Sequence, residues 1–245
     1  MILPNVRSSF GRPEAEWLVH LLGAGDPARR REWESCVAER GLDPILDDPA
    51  TLEAILAYPR LHPVPATLVL YVMLRRALLE SGIESRSLAD YVTALVLRFG
   101  DRRRSLRIGD YDDNEYHYLV DVLDELREAR GRRAFLLRAH LGNYSLWLAG
   151  LFPDYIVARV HRRGGPGLDY YEELGQSGFS MAAEDPHARR EELDRLYGYA
   201  AEAFVPVRRA LNRFSDRLLF PAPRSPVDRL LRQVRSSYAE RHLDA

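Results

Sequence analysis

Residues 132–151 read RRAFLLRAHLGNYSLWLAGL, and this stretch decides the fold class. Phe135, Leu137, Leu141, Tyr144, Trp147, Leu148 and Leu151 return at helical spacing, and Pro153 ends the run. That period belongs to an α-helix; a half-buried strand would alternate apolar and polar residues. The pattern spreads in both directions. Upstream, a helix is expected over 114–130, with Leu119, Val120, Leu123 and Leu126 inward and Gly131 as its stop. Before it, Leu88, Tyr91, Val92, Leu95, Val96 and Phe99 share a helix that ends at Gly100. Ser87-Leu88-Ala89-Asp90 resembles a capping box at its start. Pro65 opens a helix to Ser81 that is apolar on most faces near its start, as a core helix or a subunit interface would be. Asp48-Pro49 and Asp26-Pro27 pair a capping carboxylate with proline at the first helical position. Pro13 opens the first helix, which carries Trp17, Leu18, Leu21 and Leu22.

Downstream, Tyr155–His161 is the single stretch with a strand pattern, and it also fits a short helical turn. Arg162-Arg163-Gly164-Gly165-Pro166-Gly167 is a loop by composition. Asp169 is placed to cap a helix running to Ala183. Pro186 starts a helical stretch to Phe220, with a kink expected at Pro206. Pro221, Pro223 and Pro226 form a rigid linker to a last amphipathic helix, 226–242, which is expected to dock on the rest. The whole reads as an all-α, non-repeating bundle of nine or ten helices with at most one short strand pair. It is taken as one domain over 1–245, with the loop 101–113 as the candidate internal boundary.

Composition narrows the chemistry. Of 245 residues, 46% are hydrophobic and 29% charged, and the net charge is -1, so no global field draws the chain to nucleic acid or an anionic membrane. All 35 basic residues are arginine. A GC-rich genome explains that bias, and the chain is read as bacterial. Without lysine, Schiff-base enzymes, P-loop hydrolases and serine–lysine hydrolases are excluded in their usual forms. The lone Cys36 permits no intrachain disulfide, sits in a helical pattern as a small core residue, and fits a reducing compartment. With no signal-like layout at Met1–Phe10 and no apolar run long enough to span a bilayer, the expected location is the cytoplasm, with no membrane partner.

The motifs mostly fail on context. Gly23-Ala24-Gly25-Asp26-Pro27-Ala28 spells a dinucleotide fingerprint but follows a helix where the mechanism needs a strand. Gly175-Gln176-Ser177-Gly178-Phe179 lacks the second glycine of a nucleophile elbow and lies in a helical pattern. Glu184-Asp185-Pro186-His187 has di-iron spacing, but the proline marks a helix boundary and no second copy exists. No zinc motif is present, and neither a metal nor a cofactor is implied.

Three functional readings follow. The first is a helical interaction protein that self-associates or holds a protein partner, suggested by the apolar helix 65–81 and the amphipathic C-terminus. The second is a small-molecule or anion-binding pocket. His140, Asn143 and Tyr144 share a helix face, and His161, Arg162 and Arg163 precede a glycine loop that leads into a helix N-terminus. His140 or His161 would be its acid or base. The simpler account is that these polar groups bond to neighbouring backbone or stand in solvent. The third is nucleic-acid binding through Arg102, Arg103 and Arg104. Eight acids in 110–128 face the five arginines of 98–107, however, and neighbouring opposite charges tend to neutralise one another.

Overall fold

The computed structural model describes residues 1–58, 65–109 and 112–219. The linker prolines, Phe220 and the helix expected over 226–242 lie outside the described residues. Within them the chain forms fourteen α-helices and no strand. In order these are α1 (Arg12–Leu22), α2 (Pro27–Arg40), α3 (Asp43–Asp47), α4 (Pro49–Ala57), α5 (Ala66–Leu79), α6 (Arg86–Phe99) and α7 (Arg102–Ser105). There follow α8 (Leu119–Glu128), α9 (Gly131–Leu151), α10 (Pro153–Arg163), α11 (Leu168–Ala183), α12 (Pro186–Arg190), α13 (Asp194–Glu202) and α14 (Phe204–Phe214). The all-α class stands, and the count exceeds the nine or ten expected.

The extra helices have local causes. Asp43-Pro44 starts the five-residue α3 where no helix was expected. The stretch from Pro186 to Phe214 is three helices, not one kinked helix. Pro206 lies in the first turn of α14, where a missing N–H leaves no ladder bond unmade, and the break falls at Ala203. Tyr155–His161 is helical, within α10. Pro153 stands at its start, Asp154 in its first turn and three basic residues in its last, all matching the helix dipole. Gly164, with φ 59°, then closes it in a left-handed turn. α8 begins at Leu119 rather than near Asn114, because Tyr116 N–H donates to the Leu106 carbonyl at 2.7 Å and holds that segment extended. The cap of α6 is Ser85, whose Oγ accepts from Leu88 N–H at 3.2 Å. Asp90, expected in a capping box, is buried and accepts the Arg7 backbone N–H at 2.7 Å. Gly167 precedes α11, and Asp169 sits in its first turn. The caps at Asp26 and Asp48 form as read, accepting from Ala28 and Ala50 N–H at 2.9 and 2.7 Å.

α9 is the axis of the molecule. Fourteen of its 21 residues are buried, so it has no solvent face of its own. On one side, α5, α6, α11, α13 and α14 build the main core around Leu68, Leu74, Leu78, Tyr91, Phe179, Tyr197 and Phe204. On the other, α8 and α10 close a smaller core formed by Leu119, Val122, Leu137, Leu141, Leu148, Ile156 and Tyr171. Close approach of α9 and α11 requires glycine. A Cβ on Gly142 would lie 2.5 Å from the Phe179 ring, and one on Gly178 would lie 2.6 Å from the Gly142 nitrogen. Two arginines cross-link helices from within. Arg75, 2% exposed, meets Asp47 through Nε at 2.7 Å and Nη2 at 3.0 Å. Arg208, 3% exposed, meets Glu172 at 2.7 Å.

Candidate functional site

The structure separates the polar residues that the sequence groups together. His140 and Asn143 are buried on α9, at 4% and 5% exposure, and Tyr144 beside them is half-buried. His161, Arg162 and Arg163 form the exposed end of α10, and none has an ion pair among the described residues. His140 and Asn143 line a cavity of about 10 Å³; His161, Arg162 and Arg163 do not. The remaining walls come from remote parts of the chain: Met1 and Ile2, Arg98 and Phe99 of α6, Arg107 and Ile108, and Tyr197 of α13. That volume is roughly the room one water needs and far below the ~300 Å³ of a substrate pocket.

His140 is enclosed by rings. Phe99, Tyr116 and Tyr144 lie with centroids 5.9, 6.1 and 5.9 Å from the imidazole. Among the described residues its Nε2 is buried with no hydrogen-bond partner. Burial first, then the charges of Arg98 and of the N-terminal amine, push the His140 pKa down to about 3. The ring is therefore neutral near pH 7, whereas an acid–base catalyst working there needs a pKa close to that pH. In this environment His140 is a neutral hydrogen-bonding group. Asn143 Oδ1 accepts from Tyr91 Oη at 2.5 Å, which fixes the amide with its two N–H donors at the other end. Tyr197 meets Tyr91 edge-on, at 5.7 Å between centroids. Burial pushes the Tyr197 phenol up to about 12 and that of Tyr91 well above its usual value.

A second polar cluster escaped the sequence reading. Asp185, 6% exposed, accepts from Arg138 Nη1 at 2.7 Å, from His187 N–H at 2.9 Å, and contacts His187 Nδ1 at 2.9 Å. Burial opposes its ionisation, but the His187 hydrogen bonds and the Arg138 charge hold its pKa below the usual carboxylate value. The His187 ring stacks on Phe135 with centroids 5.9 Å apart. The cluster ties α12 to α9. Glu184 and His187 fall on either side of the boundary between α11 and α12, as the intervening proline implied. Among the described residues no group of three or more His, Cys, Asp or Glu is placed to hold a metal ion.

Two arginines of this segment, Arg104 and Arg107, meet carboxylates nearby. Asp101 caps Arg103 N–H at 3.0 Å and lies 3.6 Å from the Arg104 guanidinium. Arg107 pairs with Glu115 at 2.7 Å and holds its carboxyl below the ordinary range. Cys36 is half-buried on α2, a helix with no fully buried residue, so it is not the core residue expected. Among the described residues no helix is long and apolar enough to cross a membrane.

Comparison with protein-family models, curated proteins and solved structures returns no match.

Proposed function

We propose that the protein works through its surface, as a helical interaction protein that self-associates across the face built by α8 and α10. One observation carries the reading. Five of the ten exposed large apolar or aromatic side chains lie on α8 and α10 or at the start of α8, namely Tyr118, Val120, Tyr155, Val157 and Val160, and a sixth, Tyr170, lies on α11, which packs on α10. Exposed apolar side chains gathered in one layer mark contact surfaces more often than scattered ones do. The charges beside them favour a second copy as the occupant. α10 ends in His161, Arg162 and Arg163, while α8 carries exposed Asp121, Asp124 and Glu128. A twofold arrangement sets each copy's α10 against the other's α8, satisfying both contacts at once.

The pocket reading has less support as an enzyme site, because its histidine is neutral and its cavity is small. The nucleic-acid reading has less support because Asp101 and Glu115 sit against the loop arginines. A reducing, cytosolic setting agrees with the single thiol. Light scattering after size exclusion, across a concentration series, tests the proposal. The expected result is a mass approaching two chains, returned toward one chain by Val157→Asp with an unchanged helical spectrum. The mass of one chain at every concentration would remove the proposal.

A further inference from the structure

The cavity beside His140 joins three polar side chains that self-association does not use. His140 and Asn143 reach it from α9, one turn apart, and Tyr197 reaches it from α13. All three are buried, with exposures of 4%, 5% and 0%. Asn143 Oδ1 is taken by the Tyr91 hydroxyl, so the amide has only N–H groups left to offer. Among the described residues His140 Nε2 and Tyr197 Oη are buried with no hydrogen-bond partner. The Tyr197 hydroxyl comes near that of Tyr91, but outside hydrogen-bond geometry. Two such atoms from residues lining one cavity are unusual, because buried polar atoms are nearly always paired with protein or with ordered water.

Size and hydrogen-bond matching decide the occupant. A space of about 10 Å³ holds one water and nothing larger. Asn143 presents donors and so needs an acceptor, which rules out an ammonium ion of similar size. Arg107, on the cavity wall, is already paired with Glu115 at 2.7 Å and calls for no anion. A neutral imidazole has one N–H and one acceptor nitrogen, and a water can meet Nε2 in either tautomer. We infer that the cavity is a binding site for a single internal water, which accepts from Asn143 Nδ2 and bonds to His140 Nε2 and Tyr197 Oη. The water joins α9 to α13, and through Asn143 to Tyr91 of α6, inside an otherwise apolar core. The histidine and asparagine on the apolar face of α9 hold it in place, and the site does not depend on contact between copies.

The test has two readouts on the full-length protein. The first is a high-resolution crystal structure. The expected result is one density peak of water strength within hydrogen-bond distance of both His140 Nε2 and Asn143 Nδ2. A dry cavity, or a side chain filling it, overturns the inference. The second is a double-mutant cycle in urea unfolding with His140→Phe, Tyr197→Phe and the pair. Each change keeps a ring of similar size and removes one partner of the water. His140 and Tyr197 make no direct hydrogen bond, so coupling between them has to pass through what lies between. The expected result is non-additivity: the pair should lower the folding equilibrium constant about fivefold less than the product of the single effects, the size of one ordinary hydrogen bond. Losses that multiply to within about twofold overturn the bridge. The crystal readout needs no variant, so a replacement that fails to fold leaves the inference open to refutation.

Discussion

His140→Gln is the perturbation with the sharpest consequence. The imidazole titrates near 6.5 when the chain is unfolded and near 3 when it is buried among Phe99, Tyr116 and Tyr144. The unfolded chain therefore binds this proton first. Stability must fall as pH drops through 6.5 and level off only below about 3, the reverse of a histidine that gains an acidic partner. Each pH unit inside that window is worth about 1.4 kcal/mol, so the loss is about 2 kcal/mol at pH 5 and about 5 kcal/mol at its limit. Glutamine keeps a polar side chain but does not titrate. Urea unfolding at about pH 8 and about pH 5, for wild type and His140→Gln, isolates the effect, because the difference between them cancels the carboxylates. The wild type should lose about 2 kcal/mol more than the variant over that interval. Equal losses, or a His140 ring signal that titrates near neutral pH, would show that the ring is solvated and would reopen an acid–base role.

Gly178→Ala should lower stability by about 1–3 kcal/mol, since its Cβ would press on the Gly142 nitrogen and on Leu141 Cβ at 2.6 and 2.8 Å. Gly198→Ala, within α13 and with nothing inside 4 Å, should raise stability by about 0.5–1 kcal/mol; thermal melts showing the same sign for both would refute the packing argument. Asp185→Ala removes a helix cap and leaves Arg138 and His187 without their shared carboxylate, at a cost of about 2 kcal/mol or more in urea unfolding. Arg75→Lys should cost about 1–3 kcal/mol because an ammonium cannot repeat the two-nitrogen contact with Asp47, whereas Arg29→Lys on the exposed face of α2 should be near neutral.

Much of the fold was legible because helix signals are local. The Asp-Pro starts of α2 and α4, and the apolar periods of α5, α6 and α9, need no knowledge of the rest of the chain. Errors arose where a distant partner decided. Asp90 looked like a cap three residues into a helix, but the Arg7 backbone, far back in sequence, claims it. Tyr155–His161 alternates well enough for a strand, yet the dipole-matched ends and Gly164 make a helix. The candidate site was legible only in part. His140 and Asn143 stood out as polar residues on an apolar face, and they do share a cavity. Arg98, Arg107, Tyr91 and Tyr197 had no local signal, because each is brought to α9 by tertiary packing. Proximity in sequence misled in the other direction: α10 presents His161, Arg162 and Arg163 to solvent rather than to the cavity that His140 lines.

The lysine-free composition takes on a second meaning in this structure. Codon bias accounts for an arginine-rich surface without reference to what guanidinium does inside. Arg75 cross-links α5 to α3 and also donates to the Glu84 carbonyl at 2.8 Å; Arg208 cross-links α14 to α11 and donates to Asn212 at 2.7 Å. Charges engaged in this way have no capacity left for a partner. Among the described residues Arg162 and Arg163 are not so engaged, but solvated surface charges alone argue for nothing. Their bearing comes from Val157 and Val160 beside them, since exposed apolar area is the part that water opposes. Salt separates the two contributions. An interface held only by the apolar residues should persist or strengthen as salt rises, while one steered by α10 against α8 should weaken, because exposed charges are screened within about 10 Å at moderate ionic strength. Weakening with salt, together with dissociation by Val157→Asp, is therefore what the α8–α10 arrangement requires, and either result without the other would point to a different surface.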